Sequence, residues 1–336
     1  MYKLKYFFVL LSLFFVQLSC TQNTKVNGLS YVASRNEISL DDIKSLKDAN
    51  ANWAAVMPFG FMKSVSTPQI IYDTDWQWWG ERQEGAEVTT SYLHEKGLKV
   101  MIKPQIWVNK GAFTGTIKMM NEQDWVAFEK SYAEFLLTYA RMAERMNAEV
   151  LCIGTELYRF IENRPEYWTK LIRQIREVYS GKLTYAENWD SFSKVPFWSQ
   201  LDYIGIDAYF PLSDAKTPSI EELRSGWEKH KKSIFKVHKT HEKPIMFTEY
   251  GYRSVDYTAK EPWNFNHKAN KNMKAQQNAL KALYDEFWHE PWFVGGFLWK
   301  WFDNHKQAGG LEDNQFTPQN KPAESLISDF YKSAYE

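Results

Sequence analysis

The chain has 336 residues, 44% of them apolar, enough for one large α/β barrel or two small domains. Lys plus Arg and Asp plus Glu each number 41, so no net field draws it to nucleic acid or to an anionic membrane. The rings stand out: 15 Trp, 19 Tyr and 22 Phe. The Phe residues read as core. Several Trp fall instead at strand ends or in loops, where a ring can stack on a flat apolar ligand face. Sugars and nucleobases both offer such faces, and the balanced charge favours sugars.

Met1 to Cys20 reads as an export signal. Lys3 and Lys5 make a basic start, Tyr6 to Phe15 is nearly all apolar, and Leu18-Ser19-Cys20 follows. The apolar run is too short to cross a bilayer as a mature helix. Ser19-Cys20 resembles a bacterial lipoprotein cleavage site. That implies a signal over 1–19, an acylated Cys20 and a polar tether over 20–27, with plain export as the alternative. The expected location is then the outer membrane or cell surface, and the lipid is the chain's sole membrane contact. The other cysteine, Cys152, lies in an apolar run, so no disulfide is expected within the chain.

From residue 28 onward, short apolar runs alternate with longer amphipathic ones. Gly28–Val32 is the first predicted strand, and Leu40–Ala49 a helix with Ser39 as its N-cap. Trp53–Met57 is the second strand, and Val88–Lys96 a helix stopped by Gly97. Lys99–Trp107 is the third strand, followed by a long helix over Asn121–Asn147 with acidic residues in its first turn. Val150–Glu156 is the fourth strand, and the helix Pro165–Tyr179 has Pro at its start. Leu183–Trp189 and Leu201–Tyr209 are the fifth and sixth strands, and Ser219–His238 the next helix. Pro244–Glu249 is the seventh strand, before the helix Met273–Trp288. Phe293–Trp301 is the eighth, and the helix Pro322–Ala334 closes the chain. Eight alternations predict a single (β/α)8 barrel domain over 28–336. An open doubly wound sheet is disfavoured because no Gly-x-Gly-x-x-Gly follows the first strand. The long connections 59–87, 109–120, 253–272 and 303–320 all leave from C-terminal strand ends, where a barrel builds its site.

Two strand ends carry the chemistry. Val150-Leu151-Cys152-Ile153-Gly154-Thr155-Glu156 and Pro244-Ile245-Met246-Phe247-Thr248-Glu249 are apolar runs that each end in a glutamate. Two carboxylates on different strands suit glycoside hydrolysis with retention. Glu249 is the expected nucleophile, with Tyr209 placed to hydrogen-bond it, and Glu156 the expected general acid/base. On these residues, with Ile206-Asp207-Ala208-Tyr209 and Gly296-Phe297-Leu298-Trp299, the chain resembles clan A of the retaining glycoside hydrolases. Within the clan it is similar to family 113, the β-mannanases. The resemblance implies double displacement on β-1,4-mannosidic bonds of mannan-type polysaccharides or oligosaccharides. Other expectations are a β-glucanase or related β-glycosidase, or a glycan-binding protein without catalysis.

Around the pair, Lys103, Gln105 and Trp107 alternate along the third strand and are expected to share one side, as substrate contacts. An interior Lys implies a ligand or a partner such as Glu156 or Asp207. Thr155 stands where many clan members carry Asn, so Asn188 is the candidate for that sugar contact. Asp207 is read as a hydroxyl ligand or as the partner of Lys103. Trp299 resembles the clan's platform at the cleavage point. Trp76, Trp78 and Trp79, and Trp263 with Phe265, are candidates for outer sugar subsites, with Trp78 the first choice. Pinning of their own loops is the plainer alternative. The histidines show no metal-binding spacing, and no Gly-x-Ser-x-Gly elbow occurs. Neither a metal nor a cofactor is expected, and the chain is expected to act as a monomer.

Overall fold

The computed structural model describes residues 25–265 and 268–333. The export signal, Cys20 and most of the expected tether lie outside them. Eight parallel strands close into a barrel. They are β1 (Val26–Tyr31), β2 (Trp53–Val56), β3 (Lys99–Ile102), β4 (Val150–Thr155), β5 (Lys182–Asn188), β6 (Ile204–Asp207), β7 (Ile245–Tyr250) and β8 (Phe293–Trp301). Each pairs with its neighbour in chain order, and β1 closes on β8. The sequence reading placed all eight.

The outer layer contains α1 (Lys44–Asp48), α2 (Gln83–Glu95), α3 (Glu122–Arg145), α4 (Tyr158–Asn163), α5 (Pro165–Arg176), α6 (Ile220–His241), α7 (Met273–Phe287) and α8 (Pro322–Ser333). Their starts are chemically marked. Asn121, Ser219 and Asn272 side chains accept from the Asp124, Glu222 and Ala275 amides, and Pro165 opens α5. Ser39 does not cap a helix directly, because α1 begins only at Lys44; its hydroxyl and amide bind Asp42 in the turn before it. The β5–β6 connection also departs from the expected alternation. It holds two 3₁₀ turns, Phe192–Lys194 and Trp198–Gln200, in place of a helix.

Two further differences bear on the site. β1 begins at Val26, so Val26 and Asn27 belong to the barrel and not to the tether. Both are buried, and the Lys25 side chain is tied to the Glu290 and Phe293 carbonyls. The expected third strand is two strands. Pro104 brings no N–H to a ladder and holds Lys103 extended, and the run divides there. Its first half is β3. Its second half, Gln105–Val108, joins Phe59–Met62 and Ile71–Tyr72 in a three-stranded sheet outside the barrel. Phe59 lies opposite Gln105 and Phe61 opposite Trp107.

Side-chain alternation divides the core. Val26, Trp53, Ala55, Met101, Val150, Cys152, Ala186, Met246 and Phe297 fill the barrel interior. A larger cluster packs the strands against the helices. Met246 thus faces inward, while Phe247 faces outward onto Trp227, Phe287 and Phe293. The glycines of both motifs answer to crowding. A Cβ on Gly154 would lie 2.7 Å from the Tyr132 hydroxyl and from the Tyr185 ring, and one on Gly251 would lie 2.5 Å from the Trp299 carbonyl.

Candidate active site

Groups just past the C-terminal ends of β3 and β6 converge on Glu249, near the end of β7. Register slips after Phe247 on both sides, between Phe247 and Glu249 against β6 and between Phe247 and Tyr250 against β8. Such a bulge re-aims a side chain, and here Thr248 and Glu249 both reach one polar cluster. Glu249 Oε1 accepts from Lys103 Nζ at 2.5 Å and from Gln105 Nε2 at 3.1 Å, and Oε2 accepts from the Tyr209 hydroxyl at 2.9 Å. Every group bonded to it is a donor, which is the surrounding of a carboxylate and not of a carboxylic acid. The residue remains 8% exposed, so a ligand can touch it.

Lys103 has no exposed surface. Its ammonium spans Glu249 and Asp207 Oδ1, the latter at 3.3 Å. Burial pulls the ammonium down, but the Asp207 and Glu249 charges outweigh it and hold it above its usual value. Asp207 is equally buried, and the Thr248 hydroxyl donates to its Oδ1 at 2.7 Å. Burial, then the Glu249 charge, push Asp207 up to about 7, against the pull of Lys103. Of the two expectations held for Lys103 and Asp207, the pairing with each other is the one the structure shows, and neither has surface to offer as a direct substrate contact. Tyr209 is nearly covered too, and its hydroxyl is engaged by Glu249.

Glu156 has a different setting. It follows the last residue of β4 in the left-handed region, with φ of 52°, and its amide donates to the Ala186 carbonyl at 2.8 Å. Among the described residues no hydrogen-bond donor is aimed at its carboxyl. Removal from water, then the charges of Asp207, Glu249 and Glu187, push it well above the usual carboxylate range. Glu156 and Glu249 therefore share one electrostatic neighbourhood.

The small sheet extends this centre outward. Gln105 and Trp107 are two apart on one strand, so they share a face with Phe59 and Phe61 opposite. Gln105 reaches Glu249, while Trp107 is 51% exposed. The three residues expected to share one side lie on two strands, yet Lys103 and Gln105 still meet at Glu249 Oε1, while Trp107 stands exposed beyond them. Trp76 meets Phe61 edge-on at 4.8 Å and is otherwise exposed. Trp78 is exposed too, and among the described residues no ring contact joins it to Phe61 or Trp76. Trp79 is buried under its own loop. Trp263 stacks on Trp189 at 5.0 Å, so those rings are partly spent on each other. Asn188 Oδ1 accepts from the Trp189 amide at 2.9 Å, and its side-chain NH2 is free of protein acceptors among the described residues. Trp299 is half-buried beyond Glu249 on the next strand, with the Lys300 ammonium 5.3 Å from its ring centroid.

Sequence reading missed Thr248, Lys300 and Glu187. Thr248 stands beside the motif glutamate, and its inward position follows from Met246 two residues earlier. Glu187 faces away from the interior, because Ala186 faces it, and strand alternation assigns no chemistry to that side. Among the described residues no group of His, Cys, Asp and Glu is placed to hold a metal ion.

The profile of Glycoside Hydrolase Family 113 matches residues 30–321. Among solved structures the chain is similar to the GH113 β-mannanase AaManA from Alicyclobacillus acidocaldarius, with 25% identity and a TM-score of 0.81, covering 92% of this chain and 98% of that one. A second GH113 β-1,4-mannanase matches at 21% identity and a TM-score of 0.80, covering 92% and 99%. A β-glucuronidase from Faecalibacterium prausnitzii shares the fold at 15% identity and a TM-score of 0.60, covering 92% of this chain and 49% of that one. No curated protein sequence matches. The strand-end glutamates, the closed barrel and the matched span agree: the chain belongs to glycoside hydrolase family 113.

Proposed function

We propose that the chain hydrolyses β-1,4-mannosidic bonds with retention, using Glu249 and Glu156. Glu249 attacks the anomeric carbon as the bond to the leaving oxygen breaks, and Glu156 gives that oxygen its proton. The covalent sugar ester is then opened by water, whose proton returns to Glu156. The observation that carries this reading is the contrast between the carboxyls. One is bound by donors alone, and the other is desolvated among negative charges and ready to hold a proton. Likeness to two solved family β-mannanases supports mannan as the substrate. Trp299 serves as the floor at the cleavage point, and Trp107 supports a further sugar.

The chain is further proposed to act as an exported monomer, anchored at the surface through Cys20. The decisive experiment is a product profile on mannan, glucomannan and mixed β-glucan. Manno-oligosaccharides from mannan are expected, with their β-anomer formed first. Release of glucose oligomers alone would transfer the activity to a β-glucanase, and binding without products would make the chain a glycan-binding protein.

A further inference from the structure

Behind the site lies an acid that the proposed mechanism does not use. Glu187, on the outward side of β5, has no exposed surface. Its Oε1 accepts from the Asn188 amide and the Ser191 hydroxyl, both at 2.8 Å, and the Tyr185 hydroxyl lies 3.3 Å from its Oε2. That hydroxyl also accepts from the Leu157 amide at 2.6 Å. A tyrosine O–H has one hydrogen. With the Leu157 N–H on the oxygen, the hydrogen goes to Glu187, so Glu187 sets the direction of the bond to Leu157. Leu157 directly follows Glu156.

β5 therefore grips the left-handed turn at two successive amides. The Glu156 N–H binds the Ala186 carbonyl, and the Leu157 N–H binds the Tyr185 hydroxyl. Gly154 is what lets the Tyr185 ring come close. A non-glycine residue keeps such a conformation only where its surroundings impose it.

We propose that Glu187 is a positioning residue for Glu156, acting through Tyr185 on the Leu157 backbone and through space as a second buried acid. The inference rests on Glu156 being the acid/base. Two effects follow. The tether fixes where the Glu156 carboxyl sits, and an error of about 1 Å in such a group costs about a hundredfold in rate. The Glu187 charge also disfavours ionisation of Glu156, adding to Asp207 and Glu249 and opposing Lys103. Glu187 itself is pushed up to about 7, by burial and then by Asp190, against its hydrogen bonds to Asn188, Ser191 and Tyr185. Its charge is therefore strongest on the alkaline side.

The test is the pH profile of kcat/KM for Glu187→Gln, on manno-oligosaccharides and on an aryl β-mannoside with a good leaving group. The alkaline limb on oligosaccharides is expected to move down by about one pH unit, since one fewer negative charge lets Glu156 ionise sooner. The acidic limb stays. The rate at the optimum falls about tenfold on oligosaccharides and less than about threefold on the aryl glycoside, whose departure needs little acid help. Tyr185→Phe breaks the tether and keeps the charge, so it is expected to lower kcat on oligosaccharides without moving the limb. It carries the test alone if Glu187→Gln does not fold. Glu156→Gln is the control: if it keeps full activity on oligosaccharides, the acid/base reading is lost and not the link to Glu187. A folded Glu187→Gln whose alkaline limb coincides with that of the wild type, or a Tyr185→Phe with unchanged kcat, overturns the proposal.

Discussion

The ends of β4 and β7 present the same side chain in opposite surroundings. At β7 an ammonium, an amide and a phenol all donate to Glu249. At β4 no donor among the described residues is directed at Glu156, and the charges that act on it are mostly negative. Placement alone thus sets apart two carboxyls of one intrinsic chemistry, as the two roles proposed for them, electron-pair donor and proton donor, require. The lesson is that the strand-end motifs are alike, and the role expected of each glutamate finds its physical cause only in its surroundings. The separation is written in β3, β5 and β6.

That comparison can be broken experimentally, most severely at β7. Glu249→Ala is expected to lower turnover on mannan by about 10⁴-fold or more, since no other group can take over the covalent step. Glycan binding and the thermal midpoint should be nearly kept. Wild-type turnover would remove the nucleophile assignment. Glu156→Gln is expected to cost about 10²- to 10⁴-fold on mannan. On an aryl mannoside with a good leaving group, glycosylation should be largely spared. Equal losses on both substrates would erase the distinction between the two strand ends.

Smaller changes sharpen it. Lys103→Met strands two buried carboxylates, so it is expected to cost about 3 to 5 kcal/mol in denaturant midpoints. The loss should shrink near pH 5, where Asp207 holds a proton. Trp107→Ala should raise KM for polymer about 2- to 10-fold with kcat nearly unchanged. A fall in kcat alone would place Trp107 at the chemistry instead of along the glycan.

The mildest test concerns stability. Asp207 and Glu187 are pushed up to about 7 from ordinary values of 3.8 and 4.5. Between about pH 4 and 7 the folded chain thus keeps protons that the unfolded chain has lost, and stability falls as pH rises through that window. Half-buried His230, held below its usual value by removal from water, contributes the opposite sign. Asp207→Asn removes one falling contribution and leaves His230, so the drop in Tm from about pH 5 to 7.5 should flatten. An unchanged slope would show that Asp207 is ionised across the window.

The barrel was legible because its strands are short, largely apolar runs set between longer amphipathic ones, and the site because two of them end in glutamate. Element edges were less so. Pro104 lay inside the predicted third strand, and alternation was carried across it. Lys103 was read as inward, which is right, yet period two does not say whether an inward group is covered. Here Asp207 and Glu249 enclose it. Glu187 was invisible for the converse reason. The outer side of a barrel strand is packed with apolar side chains against the helices, and alternation does not mark an acid held there by Asn188, Ser191 and Tyr185.

Pro104 has one more consequence. It lets a continuous stretch of polypeptide serve two architectures, a stave of the barrel and a roof over its mouth. Residues 59–72 supply the rest of that roof and pair with no stave. Their length can therefore change through evolution while barrel closure stays intact. Gln105 would still carry any such remodelling to within one hydrogen bond of Glu249, the proposed nucleophile, so altered glycan preference and altered chemistry need not arise separately.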